Sequence, residues 1–287
     1  MFQFRFFLLL LVFATSAGFV KGEEQPDFIV EGDVILKSWW HSGRSPIRKK
    51  TFFEVDPMIT PTHRFVVDAD FQFRIETPPT RKIGHVESIA ALEPPADFIL
   101  VPGNITYSAQ YFGWFGVSED QLGHFIDAVV DPLEAAGLEV HVCLGDSDVS
   151  YGVLDWIKAR EGGLRYSFLY GGVRFICCGM YPDAETVEWL KTISNDLPVV
   201  VFWHHNVSGA YSADNDAPGG QWWTEEERKA VFDVLTVRFD TKAVFVGHWQ
   251  YSTIYYYRGI PVVLVGGDKF CVTDIDSEKN LHFSLEK

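Results

Sequence analysis

The chain has 287 residues, 47% of them hydrophobic and 15% aromatic, with 24 Lys+Arg against 39 Asp+Glu. That apolar fraction excludes a disordered chain, and the formal charge of −15 excludes the basic face that nucleic acid requires. Four cysteines in this length are too few for a disulfide scaffold, so a hydrophobic core has to carry the fold.

Residues 1–22 read as a secretory signal: Arg5, the apolar run from Phe6 to Phe13, then Ala14-Thr15-Ser16-Ala17-Gly18. Cleavage fits after Ala17 or after Gly22, and the run is about half of the ~20 residues a spanning helix needs. The expected location is extracellular or the lumen of the secretory pathway, with no membrane association after cleavage. In that oxidising setting Cys143, Cys177, Cys178 and Cys271 have three possible pairings, while their apolar surroundings equally suit buried free thiols. Two glycosylation sequons begin at Asn104 and Asn206. A glycan on Asn104 would fill the candidate cleft; burial there would leave it unmodified.

Residues 23–61 form a lead-in packed on the domain at 62–287, with Trp39-Trp40 and the basic turn Arg48-Lys49-Lys50. Buried strands are expected at Arg64–Asp68, Asp97–Val101, Glu139–Leu144, Val199–Trp203 and Ala243–Val246. Hairpins follow from Tyr166–Tyr170 with Val173–Cys178 across Gly171-Gly172, and from Thr253–Tyr257 with Pro261–Val265 across Arg258-Gly259. Phe270–Ile275 is a last strand. Helices are expected at Lys82–Glu93, at Ser118–Ala136 behind the capping box Ser118-x-x-Gln121, at Asp183–Asn195, and from Thr224-x-x-Glu227 to Leu235. Alternating strands and helices followed by consecutive strands predict an α/β class: a layered α/β/β/α sandwich, two mixed sheets flanked by helices.

In such folds ligands gather beyond the carboxyl ends of the strands. Five strand ends deliver polar groups: Asp68-Ala69-Asp70, Gly103-Asn104-Ile105-Thr106-Tyr107, Gly145-Asp146-Ser147-Asp148, His204-His205-Asn206 and Gly247-His248-Trp249-Gln250. Oxygen and nitrogen donors at one sheet edge are what a metal site requires.

In order and spacing these segments resemble the motifs of the calcineurin-like metallophosphoesterase superfamily, D-x-[HG], G-D-x-x-[DY], G-N-H-[DE], V-x-x-H (here Val201-Phe202-Trp203-His204) and G-H-x-H, over about residues 62–270. Tyr107, the V-x-x-H form and the secretory signal are similar to the purple acid phosphatase branch. The resemblance implies a metallophosphoesterase-type sandwich holding two metals ~3.5 Å apart, with a bridging hydroxide that attacks phosphorus. One metal would use Asp68, a carboxylate at position 104, Tyr107 and a histidine at 250. The other would use that same carboxylate, position 146, His204 and His248. This chain places Asn104 at the shared position, Asp146 for asparagine, Ser147 for the acid histidine, Gln250 for the last histidine, and Asp70 where His or Gly is usual.

A neutral amide at 104 removes the charge that holds two ions together. Asp68, Asp70, Asn104, Tyr107 and Gln250 make an all-oxygen set suited to Mg²⁺ or Ca²⁺; Asp146, His204 and His248 suit Zn²⁺, Mn²⁺ or Fe²⁺. Ser147, Asp148 and His205 are the candidates for a catalytic part, Asp148 also reading as a structural acceptor and His205 as a neighbour of the ligands or a surface residue. Trp222-Trp223, Tyr211 and Tyr255-Tyr256-Tyr257 read as packing or as an aromatic rim. His63, His85, His124, His141 and His282 read as surface or packing residues. The expectation is a secreted, metal-dependent phosphoesterase acting on a small phosphorylated substrate by metal-activated water, its activity weakened or lost. The alternative is a non-catalytic relative using the cleft to bind a ligand or protein.

Overall fold

The computed structural model describes residues 61–73, 80–107, 119–148, 151–207, 225–249 and 251–287. The signal, almost all of the lead-in, Ser118, Tyr211, Trp222, Trp223, Thr224 and Gln250 lie outside the described residues.

Eleven strands build two sheets among these residues. The first takes β1 (His63–Val67), β2 (Phe98–Val101), β3 (Glu139–Val142), β10 (Phe270–Ile275) and β11 (Leu281–Glu286) in the order β11-β10-β1-β2-β3. The second takes β4 (Tyr166–Tyr170), β5 (Val173–Cys177), β6 (Val199–Trp203), β7 (Thr241–Val246), β8 (Thr253–Tyr257) and β9 (Ile260–Leu264) in the order β4-β5-β6-β7-β9-β8. β1, β2 and β3 run parallel, as do β5, β6, β7 and β9, with antiparallel strands at the margins.

Alternation along each strand explains why the sequence shows unbroken apolar runs rather than a polar face. Phe65 and Val67, Phe98 and Leu100, Val200 and Phe202, and Phe245 point into the layer between the sheets. Val66, Ile99 and Val101 point the other way, under α1 (Thr80–Ala90), α3 (Asp131–Ala135) and α4 (Tyr151–Glu161). Val201, Trp203, Val244 and Val246 do the same under α5 (Ala184–Leu190) and α6 (Glu225–Arg238). Strands buried on both faces need apolar residues at every position. Aromatic rings fill the middle layer, with Phe98 stacked on Phe65 at 5.3 Å and edge-on to Phe175 at 5.0 Å.

The helix expected at 118–136 is interrupted. α2 (Glu119–Phe125) passes into a π-helical turn at Ile126–Val130 before α3 resumes. Pro132 has no N–H to give to the preceding turn, which displaces the local bonding pattern. α5 begins where expected, with Asp183 as its cap accepting from the Thr186 N–H at 2.8 Å, but it ends at Leu190 rather than at 195. α4 and β11 are additions to the expected elements. α4 buries only a narrow stripe, Val153 and Ile157, and β11 is a half-exposed margin strand held by its register with β10. All four cysteines are free and buried, and the Cys143 thiol donates to the Gly179 carbonyl at 2.8 Å. No helix among the described residues is long and apolar enough to cross a membrane.

Candidate metal centre

The centre lies where the carboxyl ends of β1, β2 and β3 meet those of β6 and β7. Glycines allow the loops to touch. A Cβ on Gly103 would sit 2.7 Å from Gly145 Cα and 2.9 Å from His204 Nδ1, and one on Gly145 would sit 2.1 Å from Asn104 N. A Cβ on Gly247 would meet the Pro102 carbonyl at 2.8 Å. Each is therefore a point of backbone contact. Asp70, Asn104 and His248 adopt the left-handed region at φ 58°, 55° and 74°. Such strain persists only where surrounding bonds over-determine it. Here the His248 N–H donates to Asp70 Oδ2 at 2.7 Å, and the Asn104 side-chain amide donates to Asp70 Oδ1 at 3.2 Å.

β6 delivers two adjacent imidazoles. The N–H groups of His204 and His205 both donate to the Met180 carbonyl, at 3.1 and 3.0 Å, fixing the turn. His204 Nδ1 lies 2.8 Å from the Pro102 carbonyl. A carbonyl only accepts, so Nδ1 carries the hydrogen and Nε2 faces the cleft. There Nε2 lies 3.0 Å from Asp146 Oδ1 and 3.0 Å from His248 Nδ1, and His248 Nδ1 lies 3.5 Å from Asp146 Oδ1. For tetrahedral Zn²⁺ with bonds of ~2.0–2.1 Å, neighbouring ligand atoms stand ~3.3–3.4 Å apart. The three atoms form a compact triangle whose edges, two of them hydrogen-bond lengths, come within about 0.4 Å of that spacing. His205 adds a fourth group, since Asp146, His205 and His248 each offer a ligand atom within 4.8 Å of the others. It is 0% exposed, which corrects its reading as a surface residue.

Electrostatics couple the members of the cluster. Burial pushes the Asp146 carboxyl up, but the hydrogen bonds and charges of His204 and His248 outweigh it and hold the group far below the usual carboxylate range. Burial pushes His204 down, yet Asp146 and then Asp70 raise it to about 9. His205 is pushed well below its ordinary value by burial and then by the charges of His248 and His204, which leaves it neutral with a lone pair to offer.

The all-oxygen set does not assemble as expected. Asp68 is fully buried, but Lys82 Nζ pairs with its Oδ1 and His85 Nδ1 lies 3.0 Å from its Oδ2. Both oxygens of Asp70 are engaged as above, and Asn104 Oδ1 accepts the Ser147 N–H at 2.9 Å. Tyr107 is half-buried, its N–H donating to the Phe73 carbonyl at 3.1 Å, and Gln250 is outside the described residues. Asp148 accepts from the N–H groups of Gly145, Thr106 and Ile105 at 2.9, 2.9 and 3.3 Å and from the Thr106 hydroxyl at 3.0 Å, which ties the two loops together as its structural reading has it. Ser147 contributes its main-chain N–H.

Lys82 and His85 were missed by sequence reasoning. Their signal was present: they lie three apart on a short helix, on the buried stripe with Val86 and Ile89, while Ile83 is half-buried and Ala90 exposed. Counting apolar residues alone rotated the buried face away from them.

The layered fold is the one that metallophosphoesterase structures share. Among solved structures the chain is similar to a dimetal phosphatase from Danio rerio, with a TM-score of 0.56 and 14% identity over 76% of this chain and 94% of that one. It is also similar to GAP50, the anchor in the inner membrane complex of Plasmodium, with a TM-score of 0.51 and 10% identity over 79% and 84% of the two chains. No family model matches the chain, and no curated protein sequence matches it.

Proposed function

We propose that this protein is a secreted, metal-dependent phosphoesterase whose centre holds one divalent ion, Zn²⁺, Mn²⁺ or Fe²⁺, on Asp146, His204 and His248, with His205 beside them. The observation that carries this reading is the triangle of ligand atoms with edges of 3.0, 3.0 and 3.5 Å. A bound ion of this kind would polarise a phosphoryl oxygen and lower the pKa of a bound water. His204 is aimed by the Pro102 carbonyl, His248 by the Asp70 bond to its N–H, and Asp146 supplies the negative charge that the imidazoles lack. Ser147 stands where the resemblance expects a histidine, and a hydroxyl cannot protonate a leaving group at neutral pH as an imidazole does. General acid help is worth ~10²–10⁴-fold, so esters with good leaving groups are the substrates of choice.

The test is to measure the metal content of the secreted protein, then its turnover of an activated aryl phosphate with added Mn²⁺, Zn²⁺ or Fe²⁺. The expected result is one equivalent of metal and turnover that disappears in His204→Ala. Bound metal without turnover would leave a ligand-binding relative, and neither metal nor turnover would remove the enzyme reading altogether.

A further inference from the structure

Asp68 and Asp70 leave β1 two residues apart, both buried, at the edge that also holds Asp146 and the imidazoles. Buried carboxylates at such an edge require positive charge. The cation that meets them is the protein's own. α1 turns Lys82 and His85 toward the sheet, and between them they take both oxygens of Asp68. The side chains of Lys82 and Asp68 are 3% and 0% exposed, and Phe71 covers the ammonium, its ring centroid 5.1 Å from Nζ. Lysine is almost never buried this deeply unless paired. The ammonium also acts on Asp70, whose own oxygens are already held by Asn104 and by the His248 N–H.

We propose that Lys82 is a resident cation, its ammonium supplying at Asp68 the positive charge that a second divalent ion would bring to a two-metal centre. This inference builds on the metal centre proposed above but stands on a separate set of residues. An ammonium only donates hydrogen bonds. It neutralises Asp68 and orients it, and it offers no coordination position for a water or a phosphoryl oxygen. Asn104 fits the same scheme. With a single charge in place of a double one, a neutral amide between the two halves of the centre adds no uncompensated negative charge.

The experiment counts metal by mass spectrometry after loading with Mn²⁺ and desalting, in the parent, Lys82→Ala and the double variant Lys82→Ala/Asp68→Asn. One, two and one equivalents are expected. Two equivalents in the parent, or no gain in Lys82→Ala, would overturn the proposal. A parent with none and a Lys82→Ala variant that gains one through Asp68 would keep the resident cation and remove the proposed phosphoesterase centre, so the two readings fail separately. If Lys82→Ala does not fold, anomalous scattering from parent crystals soaked in Mn²⁺ decides. No peak within coordination distance of Asp68 is the expected result, and a peak there with Lys82 displaced overturns the proposal.

Discussion

The N–H of His248 donates to Asp70 Oδ2 at 2.7 Å, joining the end of β7 to the end of β1 across 178 residues of sequence. That bond holds His248 in a left-handed conformation at φ 74°, which a residue of this size adopts only under constraint. Asp70→Ala removes the constraint. Metal affinity at the Asp146 centre is expected to fall ~10–100-fold, as when other outer partners of metal ligands are lost. Asp70→Asn keeps an acceptor oxygen and is expected to lose less. Competition against a chromophoric chelator measures both, and an unaltered affinity in Asp70→Ala would show that the turn at His248 is held by other contacts.

Metal binding is expected to stabilise the folded chain by mass action. At a free Zn²⁺ concentration of ~100 Kd the gain is about 2.7 kcal/mol. Urea unfolding with and without Zn²⁺ reads this directly. His204→Ala should abolish the gain, because Nε2 of His204 is the vertex shared by the two 3.0 Å edges of the ligand triangle. An equal gain in this variant would place the bound ion elsewhere.

Gly145→Ala and Gly84→Ala should differ in sign. A Cβ at 145 would sit 2.1 Å from Asn104 N and 2.3 Å from its Oδ1, so the second and third strand-end loops would have to separate. A loss of ~1–3 kcal/mol is expected, together with weaker metal binding. A Cβ at 84 meets nothing within 4 Å. There the gain in helix propensity within α1 should stabilise the protein by ~0.5–1 kcal/mol. Urea midpoints of the two variants make the comparison.

Asp276 sets a local acid dependence at the β10–β11 turn. Slight burial pushes its carboxyl up, but the hydrogen bonds from Asn280, His282 and Glu278 outweigh that and lower it from an ordinary 3.8 to about 2. A depressed carboxylate contributes stability that is present above its unfolded value and lost as pH falls through the folded one. The turn should therefore weaken between about pH 4 and pH 2. Amide exchange of β11 followed through this window is the measurement. Asp276→Asn should flatten the dependence, and a parent profile already flat would contradict the assignment.

The sequence made the layered architecture readable because both faces of the central strands are buried. Runs such as Val199–Trp203 then carry no polar residue to blur the assignment. The convergence of His204, His248 and Asp146 could be anticipated because each lies within four residues of a strand end, and Gly145 and Gly247 marked the tight approach of the loops. What escaped was set by tertiary contact. β11 owes its place to its register with β10. Lys82 and His85 share the buried stripe of α1 with Val86 and Ile89, but the pairing with Asp68 across to the preceding strand is a tertiary contact that their spacing does not specify. Asp148 looked like a candidate for chemistry because carboxylates beside a metal motif invite that reading. Its oxygens are filled by main-chain donors, Ile105 and Thr106 from another loop and Gly145 from its own.

The ligand triangle draws one vertex from the loop after β3 and two from the second sheet, after β6 and β7. An ion held at all three vertices would need both halves of the sandwich. A chain that has formed each sheet but not yet seated one upon the other therefore lacks the centre, and capture of a cation during refolding would clock the moment at which the two halves come into register.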